Sequence, residues 1–204
     1  MGGRGPLVLS VSSTVPVNNA RELVAYVKAH PSTVSYASFG AGTSSHIYGE
    51  AFVQQARLDA VHVPYKGGSD AAKDLIGGRV QYMFDSASSA IISAGTGKVK
   101  IVAVAAAARI PALPDVPTLA EQGVAGLDLP SWLGFYGPAH MPAPVVGKLN
   151  AALAKALAMP EVPDFYRQGG YEAGATTPEE FASITRSTYD RWGALVQQVG
   201  LTKQ

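Results

Sequence analysis

Residues 35–52, SYASFGAGTSSHIYGEAF, pass from a strand-like run through a glycine- and hydroxyl-rich turn straight into a helical pattern. Gly40, Gly42, Thr43, Ser44 and Ser45 are gathered there with no charge among them. The start of a helix presents unpaired backbone N–H groups at the positive end of its dipole, so a strand, a glycine-rich loop and a helix in succession suit an anion. Glycine lets the backbone approach closely, and the hydroxyls add donors that rotate to fit. A phosphate loop would need lysine after the last glycine, and a dinucleotide fingerprint would need glycine where Ser45 stands. What remains is a carboxylate held by neutral donors, or a plain tight turn with a helix cap.

Weaker signals follow. In VPYKGGSDA (63–71), Tyr65, Lys66 and Gly67 precede a second helix start, which reads as a second anion lip or an ordinary strand-to-helix loop. Asp85 ends a strand at the edge where open α/β sheets bind ligands, and it could equally cap the next helix. Trp132 and Tyr136 fit a pocket wall or a core. His46 and His62 could be drawn into a triad with Ser44 or Ser45 and Asp85, but no Gly-x-Ser-x-Gly elbow is present. No set of metal ligands suggests itself. Accordingly no catalytic residue, metal site or cofactor is expected.

These residues must be positioned by alternating elements. Strands are expected over 7–11, 34–39, 60–65, 79–85 and 99–105, with helices over 18–30, 46–56 and 86–94. A further short helix follows Ser69, its predicted cap, and stops at Gly77 and Gly78. Capping-box spacings mark the start of the first of these helices at Asn19/Glu22 and two further starts at Thr118/Glu121 and Thr177/Glu180. The alternation predicts an α/β fold with a mixed or parallel sheet flanked by helices. Beyond the proline-rich joint GPAHMPAPVV the chain reads as helical, with apolar faces at 145–157 and 181–199 that little else here would cover. The predicted division is 1–6 as a flexible leader, 7–137 as an α/β ligand-binding lobe and 138–204 as a mainly helical part of another lobe.

Composition narrows the classes. The 204 residues are 47% hydrophobic and carry a formal net charge of +1, which offers a core but no basic footprint for nucleic acid. Cysteine is absent, so disulfides, thiolate metal sites and cysteine nucleophiles are excluded. No apolar run reaches the ~18–20 residues of a membrane span, and MGGRGPLVLS does not have the pattern of a signal peptide.

The segments VPVNNARELVAYVKAHPSTVSYASFGAGTSSHIYGEAF, VHVPYKGGSDAAKDLIGGRVQYMFDS, RIPALPDVPTLAEQGVAGLDLPSWLGFYGPAHMP and TPEEFASITRSTYDRWGALVQQVG resemble, in order and spacing, the Bug-type (TctC-like) receptors of tripartite tricarboxylate transport systems. The resemblance implies a periplasmic, non-enzymatic solute-binding protein of the type II periplasmic binding protein fold. Such a receptor closes two lobes on a small organic acid (a di- or tricarboxylate, an acidic amino acid or an aromatic acid) and works with membrane transporter subunits. It carries over Ser38, Gly42, Thr43, Ser44 and His46 as ligand-loop residues, with the YKGG turn and Asp85 as other cleft-facing positions. Phe39 and Ala41 stand where the family commonly has glycine and asparagine, which would reshape the cleft. The family also implies a preceding segment with a signal peptide and a proline-glycine-rich loop. This chain is therefore expected to be a truncated receptor whose exposed helices self-associate. The other readings are a serine hydrolase using Ser44 or Ser45 with a histidine, and a ligand-free structural or assembly fragment.

Overall fold

The computed structural model describes residues 1–129 and 131–201. Its centre is a five-stranded sheet of order β4-β3-β5-β2-β6. The strands are β2 (Leu7–Ser12), β3 (Ser35–Ser38), β4 (Val61–Pro64), β5 (Tyr82–Ser86) and β6 (Val99–Ala105). β3 runs parallel to β4 and β5, whereas β2 is antiparallel to both of its neighbours. β3, β4, β5 and β6 therefore all point the same way, and their carboxyl ends form one rim.

Side-chain alternation assigns the two faces. Leu7, Leu9 and Val11 of β2 join Tyr36, Tyr82 and Phe84 on one face, under α1 (Ala20–Ala29) and α2 (Ser44–Ala56). On the other face Ala37 and Met83 pack with Ala71 and Leu75 of α3 (Gly68–Ile76). Val8 and Val104 pack there with Ala87 and Ala90 of α4 (Ala87–Ala94). At α1, Asn19 accepts from the Glu22 amide at 2.8 Å, but the Glu22 carboxylate returns to the Asn18 amide, so only half of that box forms. Before the 3-10 turn Ala120–Gln122 the box is complete, with Thr118 accepting from the Glu121 amide at 3.1 Å and Glu121 from the Thr118 amide at 2.6 Å. Ser69 does not cap α3; Gly67 stands at the cap position without a side chain to bond there, and Ser69 lies inside the first turn. Gly78 takes φ +74, so the helix stops at the predicted glycines.

The opening residues are not a free leader. Gly3–Arg4 is β1, the middle strand of a small antiparallel sheet between β7 (Trp132–Leu133) and β8 (Glu172–Ala173). The glycines that suggested flexibility serve close packing instead. A Cβ on Gly3 would lie 2.4 Å from the Tyr166 ring, and one on Gly5 would lie 2.3 Å from the Tyr171 ring. Even the terminal amine is tied, donating to Thr176 Oγ1 at 3.0 Å.

The C-terminal helices are α5 (Ala143–Leu157), α6 (Glu161–Gln168) and α7 (Pro178–Gln198). α7 opens with the complete Thr177/Glu180 capping box. Its apolar face is not wholly uncovered, as the sequence suggested. Leu195 and Val199 enter the main core, Trp192 meets the edge of Tyr48 at 5.3 Å, and Gln54 Nε2 donates to the Val199 carbonyl at 2.9 Å. α5 and α6, by contrast, bury no residue. No described helix is long and apolar enough to cross a membrane.

Candidate ligand rim

At the rim, α2, α3 and α4 each begin where a strand of the parallel set ends. Only α4 is capped in the ordinary way, by Ser86 Oγ accepting from the Ser89 amide at 3.3 Å. Thr43 before α2 makes no side-chain cap bond, and Gly67 before α3 has no side chain to make one. The first turn of α2 holds no acidic residue. Its dipole is left uncompensated, which favours an incoming anion. The two uncapped starts lie side by side: the Tyr65 amide donates to the Ser38 carbonyl at 3.1 Å, and the Phe39 ring lies 3.3 Å or closer to the Cβ position of Gly68. Phe39 thus packs between the loops and walls the rim from below.

The loop is held from within. Gly40 and Gly42 take φ +136 and +76, conformations that side chains rarely adopt. The Gly40 carbonyl accepts from Thr43 Oγ1 at 2.7 Å and from Ser38 Oγ at 3.2 Å. Of the expected ligand residues, Gly40, Gly42, Thr43, Ser44, Tyr65, Lys66 and Gly67 are at least partly accessible. The side chains of Ser38, Ser45, His46 and Asp85 are buried and do not face outward. Ser45 Oγ donates to the Phe84 carbonyl at 2.5 Å, which fastens α2 to β5. The Tyr65 hydroxyl is also engaged, donating to Asp74 at 2.7 Å, and burial pushes it up to about 12.

Beneath the loop lies a cluster that the sequence did not assemble. Ser38 Oγ and His62 Nε2 are 2.7 Å apart, and the His62 ring stacks on His46 with centroids 3.9 Å apart and on Tyr36 at 4.9 Å. The Gly42 amide donates to His46 Nδ1 at 3.0 Å, so the His46 proton sits on Nε2, 3.7 Å from Glu50. Glu50 in turn accepts from the Tyr36 hydroxyl. Burial lowers the His62 pKa to about 4, with His46 adding to the effect and Glu50 opposing it. Burial likewise lowers His46 below its ordinary value, again against Glu50. Both imidazoles are neutral at pH 7. The period-2 pattern around His62 shows which face of the strand it takes; its partners, among them Ser38 24 residues away, leave no local signal.

Two chemical readings lose ground on this geometry. His62 bonds to Ser38 and Ser45 bonds to a carbonyl, so neither Ser44 nor Ser45 has a base, and the hydrolase triad is not assembled among the described residues. His46, Glu50 and His62 do bring potential metal-ligand atoms within 4.8 Å of one another. Yet the two rings are 15° from parallel, so their in-plane lone pairs run side by side and do not converge on one ion. His46 Nδ1 and His62 Nε2 are already spent on the loop and on Ser38.

Comparison with known proteins agrees with this architecture. The model of the family described as "Tripartite tricarboxylate transporter family receptor" (TctC) matches residues 3–201. A "UPF0065 protein in tcbD-tcbE intergenic region" from Pseudomonas sp. (strain P51) is 34% identical over 96% of this chain and 59% of its own length. This chain thus spans about three fifths of the curated relatives it matches first. Among solved structures, the periplasmic binding protein BugD is 33% identical with a TM-score of 0.94, covering 100% of this chain and 69% of that one. R. palustris Rpa4515 with adipate is 29% identical with a TM-score of 0.93, covering 98% and 67%. The mixed sheet with helices on both faces is the periplasmic-binding-protein fold these structures share, and the family is one of receptors rather than enzymes. With nearly its whole length matched, the chain belongs to the tripartite tricarboxylate transporter receptor family.

Proposed function

We propose that this chain is the greater part of a periplasmic receptor that captures a small dicarboxylate and delivers it to the membrane subunits of a tripartite transporter. The observation that carries the reading is the pair of uncapped helix starts, α2 and α3, lying side by side on the rim. One carboxylate of the ligand accepts from the backbone N–H groups of Ser44 and Ser45 and from the Ser44 hydroxyl, with Lys66 and Gly67 at the adjoining lip. The five-stranded sheet with its flanking helices α1–α4 forms the ligand lobe, and the small sheet β7-β1-β8 with α5 and α6 belongs to the opposing one, so the division falls before β7 and not at residue 137. The adipate on Rpa4515 supports a dicarboxylate of this size.

The test is a thermal-shift titration with adipate, malate, succinate, citrate and glutamate. A ligand at ~100 times its dissociation constant stabilises by about 2.7 kcal/mol. Gly67→Asp places a carboxylate on the same helix start. The Gly67 backbone is extended (φ 168), and a Cβ there meets nothing within 4 Å, so the substitution is accommodated. It is expected to leave stability unchanged or raised by a few tenths of a kcal/mol, while weakening acid binding at least ~10-fold through like-charge repulsion. Undiminished binding in Gly67→Asp would remove α3 from the site. No shift with any acid would leave the fold without the receptor's function.

As this 204-residue chain, the protein is also expected to self-associate. A hollow of about 680 Å³ lies between α5, α7 and the segment after β7. Around it and on α6, Leu149, Tyr136, Tyr189 and Phe165 are 51–78% exposed. Apolar surface of that extent is rarely left to water by a monomer. Sedimentation velocity should show a concentration-dependent dimer; a single monomeric species at the highest soluble concentration contradicts it.

A further inference from the structure

We infer that the neutral imidazole of His46 is the positioning group of the anion loop, and that a proton on its Nδ1 unlatches the loop and releases the bound acid. The geometry rests on one hydrogen bond with an unusual direction. The exposed loop residue Gly42 donates its amide to His46 Nδ1 at 3.0 Å, across one turn at the start of α2. Gly42 sits at φ +76, a region glycine enters without strain and leaves as easily, so the backbone itself does not resist a turn of the loop once the bond is lost. A ring nitrogen can accept that amide only while it carries no proton. Once protonated, Nδ1 and the Gly42 N–H are two donors facing each other, and the loop must turn away.

The surroundings make the switch directional. From α2 itself Glu50 faces His46 Nε2 at 3.7 Å; from β4 the neutral His62 ring is stacked at 3.9 Å. From β3, Tyr36 holds Glu50 through its hydroxyl, with Tyr82 of β5 stacked behind Tyr36 at 5.5 Å. Burial favours the neutral form of His46, so the latch is closed at neutral pH, while Glu50 stands ready to stabilise the imidazolium once it forms. The second ring resists first protonation by the same crowding, so His46 titrates ahead of His62, whose pKa lies near 4. His46, buried and turned inward, thus acts on the ligand through the backbone of Gly42.

The ligand-release half of this inference rests on the receptor reading above; the loop half does not. Nitrogen-15 NMR of the labelled chain between about pH 8 and pH 5 separates them, with His46→Gln as the variant that keeps an acceptor but cannot titrate. In the wild type the ring is expected as the Nε2–H tautomer at neutral pH, and the Gly42 amide should shift together with ring protonation. In His46→Gln the Gly42 amide should stay still. A Gly42 amide that ignores ring protonation, or an Nδ1–H tautomer at neutral pH, overturns the proposal from the wild type alone, even if the variant does not fold. Adipate calorimetry on both proteins supplies the second arm. Wild-type affinity should fall about tenfold per pH unit below the ligand-free pKa of His46. The variant should show only the acid's own titration, and parallel falls in the two proteins overturn the release step. If adipate binds neither protein at any pH, the receptor reading fails while the NMR still decides the latch.

Discussion

Gly49→Val should cost this fold about 3 kcal/mol or more, lowering its urea midpoint by roughly 1.5 M for a slope of about 2 kcal/mol per molar. Gly49 lies in the middle of α2, where glycine is itself a burden of ~1 kcal/mol relative to alanine. Helix propensity alone therefore predicts a gain on substitution. Packing predicts the reverse, because a Cβ at Gly49 would stand 2.2 Å from Cε2 of Tyr36. That ring cannot swing aside: Tyr36 is 1% exposed, stacked between His62 and Tyr82, and tied to Glu50 by its hydroxyl. The second methyl of valine and its restricted rotamer add to the overlap. Equilibrium unfolding of the wild type, Gly49→Ala and Gly49→Val decides between the two effects. A rise in stability of about 1 kcal/mol for alanine, as propensity alone requires, would mean that Tyr36 does not lie across the helix. The consequence reaches function, since Tyr36, Glu50, His46 and Gly42 form one continuous set of contacts up to the loop.

What the sequence disclosed and what it withheld follow from the range of the forces involved. The cap at Asn19 and the capping boxes at Thr118 and Thr177 form, because the donor and acceptor lie three residues apart and need no tertiary help. The strands fall within a few residues of expectation, since their alternation is local. The sequence does not mark α6 as a helix of its own, because EVPDFYRQ follows one proline and contains another. Both prolines fall at or before the third helical position, where a missing N–H removes no helical bond. The leader was misread because glycine signals freedom only when nothing lies against it, and the Tyr166 and Tyr171 rings come from the far end of the chain. At the rim, residue types pointed to the loop but not to the direction of its side chains. Ser45 turns inward to Phe84, whereas Thr43, two residues earlier, stays accessible; nothing in TSS distinguishes them. The stacked histidines depend on β3 and β4 pairing in register, with Tyr36 opposite His62, and that is a tertiary fact.

Asp85→Asn is expected to stabilise the protein at pH 7 by about 2–3 kcal/mol, with the gain gone by about pH 4. Asp85 is the last residue but one of β5, at the rim, and is fully buried. One oxygen accepts from the Ser86 amide at 2.7 Å; the other has no partner among the described residues. Burial pushes its pKa up to about 6, above the roughly 3.9 of an aspartate in an unfolded chain. Below about pH 4 both states are protonated and the carboxyl carries no charge penalty. As pH rises toward 6 the unfolded chain ionises first, so it gains relative to the native state. Above that, the full difference of ~2 pKa units, about 3 kcal/mol at 1.36 per unit, is set against the fold. Asparagine keeps an oxygen for the Ser86 amide and never ionises. Urea unfolding of both proteins at about pH 4 and pH 7 reads the difference directly, and an Asn variant no more stable at neutral pH would mean that the carboxylate is compensated within the fold. The result bears on the site as well as on stability. An ionised group this costly, at the carboxyl end of a central strand, is a liability unless it earns its place in function. If removing the charge strengthens the fold and weakens acid binding, it is the ionised carboxylate of Asp85, and not the Ser86 hydrogen bond that asparagine keeps, that serves the rim, and the stability given up measures what that charge costs.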